Sequence, residues 1–63
     1  MINAGDTVEL TAHPGKQFTV AGIMHLKKEI GAEPIQHARI CLEAYGLVFC
    51  ALVKTSELME APK

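Results

Sequence analysis

The stretch "GLVFCALV", Gly46–Val53, decides how this chain folds. Seven consecutive residues after the glycine are apolar, and none of them is charged. A run of this length suits a strand better than a helix, because helices need about ten residues or more. A strand shows alternate residues to opposite faces, so this one has no polar face to turn to water. The turn before it sets which residues face the core. If Tyr45-Gly46 is a two-residue loop, Ala44 pairs with Leu47 and Cys41 stands opposite Cys50. The core face then holds Ile40, Leu42, Leu47, Phe49 and Ala51, and Val48, Cys50 and Leu52 face outward. If the loop is Ala44-Tyr45-Gly46, with Gly46 left-handed, the pairing slides by one residue. Cys41 then faces Phe49, and Leu47, Phe49, Ala51 and Val53 face outward. Tyrosine is disfavoured at the first position of the shorter loop, where φ is positive. Both registers are open at this level, and each leaves an apolar strip outside the core.

Upstream, "ARICLEA" (residues 38–44) reads as the partner strand, with Ile40 and Leu42 alternating against Arg39, Cys41 and Glu43. "TVEL" (7–10) is a first strand, with Val8 and Leu10 on one face. Pro14-Gly15 in "TAHPGK" reads as the following turn, because Pro presets φ and Gly accepts positive φ. "QFTVAGIM" (17–24) is a second strand in which Phe18 and Val20 share a face, and Gly22 marks a bulge or bend. The segment "HLKKEIGAEPIQH" (25–37) has two readings. Leu26 and Ile30 are spaced for one face of a short helical turn, with Gly31 as its cap and Pro34 just beyond. Otherwise it is a long excursion between strands, able to fold over the apolar strip. Ser56 is expected to open a single helical turn that lays Leu58 on the core. Four to five short strands, tight turns and no long periodic helix predict a mainly β fold, a small antiparallel barrel or a curled sheet, forming one domain over residues 1–63.

Sixty-three residues, 49% of them hydrophobic and 21% charged, describe a globular chain with little room for a core. A domain this small buries only about 60% of its unfolded surface, and such chains recruit disulfides, metals or oligomerisation. A contiguous exposed apolar strip marks a partner surface. Val48, Phe49, Cys50 and Leu52 are the candidate interaction residues, and a second copy of the chain is the simplest partner, in a dimer or higher oligomer; another protein is the other.

The chemistry-bearing residues are scattered. His13, His25, His37, Cys41 and Cys50 contain no Cys-x2-Cys or His-x3-His pair. His37 and Cys41 would lie roughly 13 Å apart along a strand, too far for one zinc ion. No metal or cofactor is expected. Neither cysteine sits in a setting that activates a thiol, the carboxylates are dispersed, and "HPGK" lacks the frame of a phosphate loop. No catalytic residue is therefore assigned and the chain reads as a non-enzyme. A net charge of −1 and pI near 6.2 give phosphate backbones little to bind, so nucleic acid is not an expected partner. Only Phe18, Tyr45 and Phe49 are aromatic, two of them core-like, so a base-stacking platform is missing. "MINAGDTVEL" lacks the basic and long apolar regions of a signal peptide, and no run approaches membrane-spanning length. No membrane contact and a cytoplasmic location are expected, with both cysteines free and buried in a reducing compartment.

"GDTVELTAHPGKQFTVAGI", Gly5–Ile23, resembles the opening of small SH3-like barrels. It is similar to the YodC-like family of short bacterial proteins, in which a Gly-Asp-x-Val strand leads through a Gly/Pro turn into a "TV-x-G" strand. More loosely it resembles the plasmid-encoded trimethoprim-resistant dihydrofolate reductases, SH3-like proteins that assemble around a central pore. The resemblance implies an SH3-like barrel and a precedent for oligomers. The second half departs from both families: "RICLEAY" replaces an aromatic-rich strand, and Val48-Phe49-Cys50-Ala51 offers no polar pore residues, so reductase activity is not carried over. The function expected is a non-catalytic protein-interaction or assembly module, an accessory protein of a bacterium, plasmid or phage. The alternatives are a nucleic-acid-binding barrel and a ligand pocket at an oligomer axis.

Overall fold

The computed structural model describes residues 1–61; Lys63, one of the six basic residues, lies outside them. The chain is almost entirely strand: β1 (Thr7–Leu10), β2 (His13–Leu26), β3 (Ile35–Ala44), β4 (Leu47–Lys54) and β5 (Leu58–Glu60), with a 3₁₀ turn at Thr55–Glu57. All neighbouring strands are antiparallel, in one sheet of order β4-β3-β2-β1-β5. The sheet is not closed, so the mainly β expectation holds while barrel closure is not seen: β4 and β5 are its two edges.

One face carries the core. Val8, Val20, Ala38, Ile40 and Leu58 are buried there, and Ile2, Leu10, Phe18, Ile23 and Val53 pack around them. Strand alternation explains the set: Val8 lies opposite Phe18, Val20 opposite Ile40, Ile23 opposite Ala38, and Ala38 opposite Val53. The 3₁₀ turn opens at Thr55, one residue before the expected Ser56, and swings the chain back so that Leu58 reaches the core, as expected, and pairs with Leu10. Between Val20 and Gly22 the register shifts, so Ala21 is the extra residue of a bulge, and this keeps both Val20 and Ile23 on the core face.

Two segments differ from their sequence reading. The first turn falls at Thr11–Ala12, and β2 resumes at His13; Pro14, Gly15 and Lys16 bulge out between Leu10↔His13 and Glu9↔Gln17. The cause is Glu9, only 7% exposed, whose Oε1 accepts the Gly15 N–H at 2.8 Å. Gly15 takes φ +102°, a conformation open to glycine at little steric cost. Between β2 and β3, Leu26 does not enter a helical turn. It pairs with Ile35, Met24 with His37, and the connection 27–34 is a turn in which the Ala32 N–H bonds the Glu29 carbonyl. The excursion thus lengthens a hairpin in the plane of the sheet, and Ile30 at its tip is fully exposed. It covers nothing.

Candidate interaction edge

The β3–β4 hairpin takes the shorter of the two loops. Ala44 pairs with Leu47, Leu42 with Phe49, Cys41 with Cys50 and Ile40 with Ala51. Tyr45 (φ 55°) and Gly46 (φ 72°) both have positive φ, as a type I′ turn requires. The strand twist that favours this turn outweighs the cost of placing a tyrosine in it.

That register puts the two cysteines opposite each other with Cα atoms 4.1 Å apart, and they form a disulfide. The expectation of two free, buried thiols is therefore corrected: Cys41 is half-buried, Cys50 is exposed, and they are bonded. The signal lies in the turn, since a two-residue loop at 45–46 requires this pairing.

Leu47, Phe49, Ala51 and Val53 of β4 lie on the core side, and Val48, Cys50 and Leu52 on the opposite side beside Glu43, Cys41 and Arg39. Yet exposure does not follow that division. Val48 (61%) and Leu52 (47%) are open on the outer face, and Leu47 (58%) and Phe49 (51%) are equally open on the inner one. Only Val53 packs against the core. Among the described strands β4 pairs with β3 alone, at the edge of the sheet. Phe49, on the core side in this register, is thus half in water, while Phe18 does pack on the core. All four candidate interaction residues, Val48, Phe49, Cys50 and Leu52, lie within five positions of one edge strand and are exposed.

The strand's backbone has a definite phase. Residues flanking a two-residue turn form a hydrogen-bonded pair, and such pairs alternate with non-hydrogen-bonded ones. Counting from Ala44↔Leu47 makes Cys41↔Cys50 a non-hydrogen-bonded pair, and its short Cα separation agrees. The N–H and C=O of Val48, Cys50 and Leu52 therefore point away from β3, toward the free edge.

Among the described residues no group of three or more His, Cys, Asp and Glu side chains is placed to hold a metal ion. His37 Nδ1 donates to the Ile35 carbonyl at 2.8 Å, and the Thr55 hydroxyl bonds Gln36 Oε1 at 3.0 Å, tying the 3₁₀ turn to β3. Gln17, Thr19, Cys41, Glu43 and Val48 line a shallow open depression on the outer face. No helix of the described residues is long and apolar enough to cross a membrane. What fold and site define is a small antiparallel sheet with one open apolar edge. Compared with known proteins, the chain matches no family model, no curated protein and no solved structure.

Proposed function

We infer that this chain is a non-catalytic protein-interaction or assembly module, working as a homo-oligomer through β4, with Val48, Phe49, Cys50 and Leu52 at the contact. The observation that carries the reading is the exposure of β4 on both faces, beside a core of only five buried hydrophobic side chains among the described residues. Apolar surface of this kind is stabilised by removal from water at about 25 cal/mol per Å2, and a partner is the available means. The strand order and the 3₁₀ turn before β5 are compatible with an SH3-like sheet that curls without closing, as the likeness of Gly5–Ile23 to SH3-like and YodC-like openings implies. A cytoplasmic accessory protein of a bacterium, plasmid or phage fits the small size. In that setting the exposed Cys41–Cys50 bridge would exchange with the thiol pool.

Light scattering on a sizing column, with and without reductant, tests the reading. A particle of at least two 6.8 kDa chains is expected in both conditions. Leu52→Glu places a carboxylate opposite Arg39, which preserves the hairpin, and puts a charge in the contact. It should yield a folded single chain. If Leu52→Glu leaves the particle mass unchanged, β4 is not the contact.

A further inference from the structure

We propose that two copies of the chain join edge to edge through β4, antiparallel about a two-fold axis at Cys50, so that the two five-stranded sheets become one of ten strands. This rests on the assembly reading above and specifies its partner and geometry. Three features of β4 select a second β4 as the occupant.

The first is backbone phase. Val48, Cys50 and Leu52 carry the unpaired N–H and C=O groups of this edge. With Cys50 on the axis, Val48 of one copy meets Leu52 of the other, Cys50 meets Cys50, and Leu52 meets Val48. Each outward-facing residue meets an outward-facing residue, so all three pairs are hydrogen-bonded pairs. A shift by one residue would set outward groups against inward ones.

The second is side-chain fit. On the inner face the same register sets Phe49 against Ala51 of the second copy and Leu47 against Val53, with the large ring opposite the smallest side chain. On the outer face Val48 meets Leu52. Every cross-strand pair from 47 to 53 is apolar. Lys54 falls opposite Gly46, which has no side chain to oppose it, and the two Lys54 residues sit at opposite ends of the ribbon.

The third is the lack of protection. Edge strands of monomers are blunted by charge, proline, bulges or shortness. β4 has eight residues, no proline, no register shift and no charge before Lys54. The opposite edge, β5, has three residues and ends in Glu60. A two-fold pairing uses β4 up in both copies, so association through β4 stops at two copies and does not run on into fibres.

The test uses Val48→Pro. Proline is tolerated where a strand's N–H faces away from its neighbour, and it removes a donor from the free edge. The wild-type chain should run at twice 6.8 kDa, and the variant at 6.8 kDa with its sheet spectrum intact. By residue-resolved hydrogen exchange, the Val48, Cys50 and Leu52 amides of the wild type should be as protected as those of Phe49 and Ala51. In the variant, Cys50 and Leu52 should exchange at least about tenfold faster while Phe49 and Ala51 stay slow. In a mixture of isotope-labelled and unlabelled wild-type chains, intermolecular contacts should connect Val48 with Leu52 and Phe49 with Ala51. If Val48→Pro fails to fold, Leu52→Pro removes another outward N–H, and the wild-type contacts still decide. A dimer that survives either proline, or one whose contacts join Val48 to Cys50, overturns edge pairing about Cys50 and leaves the assembly reading standing. A wild-type chain that stays single with fast exchange at 48, 50 and 52 overturns the proposal and, with it, the self-association in the assembly reading.

Discussion

Tyr45 holds a left-handed conformation that its own side chain does nothing to offset. Its φ is 55° and its side chain is 97% exposed, so the ring contributes no packing. A non-glycine residue there costs roughly 1–2 kcal/mol, less for asparagine, whose short polar side chain tolerates it. Tyr45→Asn should therefore stabilise the chain by about 0.5–1 kcal/mol, seen as a higher urea midpoint at unchanged slope. Glu9 works in the opposite sense. Its nearly buried carboxylate holds the 14–16 bulge through the Gly15 N–H. Glu9→Ala leaves that N–H to water and removes a hydrogen bond to a charged acceptor, for an expected loss of roughly 1.5–3 kcal/mol in the same measurement. Tyr45 was legible as an awkward turn residue. The role of Glu9 was not, because nothing in "TVELTAHPGK" says that a strand carboxylate reaches a glycine six positions on.

At the level of elements, the β3–β4 hairpin is held in register by its turn and by its disulfide, and hardly at all by its side-chain pattern. In most hairpins a one-residue slip would expose the buried face; here both faces of β4 are apolar, so a slip costs little in burial. The Cys41–Cys50 bridge, nine residues apart, therefore acts as a pin. The chain-entropy model assigns a loop of this size about 2.7 kcal/mol. Cys41→Ala with Cys50→Ala should lower unfolding free energy by about 2–3 kcal/mol, and reductant added to the double variant should change nothing further. The β2–β3 hairpin shows the other outcome. Leu26 and Ile30 have helical spacing, but Leu26 and Ile35 pair across the strands, and ladder bonds continuous with a ten-residue β3 outcompete one isolated helical turn, which nucleates poorly.

Across the whole molecule, the core is too small for the surface it must stabilise. Among the described residues, five hydrophobic side chains are buried, of which Val8 and Val20 are the largest wholly buried. The Cα radius of gyration is 12.3 Å, against about 11 Å for a compact chain of this length, and the longest extent is 40 Å. The excess lies in hairpins that extend beyond the core, with Ile30 at the tip of one and Tyr45 in the turn of the other exposed. Stability that depends on a second copy rises with concentration by mass action. The thermal midpoint should accordingly climb as protein concentration is raised from micromolar to millimolar, and should be flat for Leu52→Glu. A wild-type midpoint independent of concentration would mean that the small core suffices alone.

The sequence by itself determined that the chain is a short antiparallel β protein, that Val8, Val20 and Ile40 face inward, that Leu58 returns to the core, and that Gly46–Val53 has an apolar face to spare. These follow from local causes: period-two alternation, β-branched runs and turn residues. Only the tertiary structure decided the register at Tyr45-Gly46, and with it the cysteine pairing and the phase of the free backbone groups, because an all-apolar strand reads identically in either register. Only the tertiary structure decided, too, that the sheet stays open and that the 27–34 connection leaves β4 bare. Closure and covering depend on where distant segments lie in space, and alternation along a strand carries no record of what stands across from its faces.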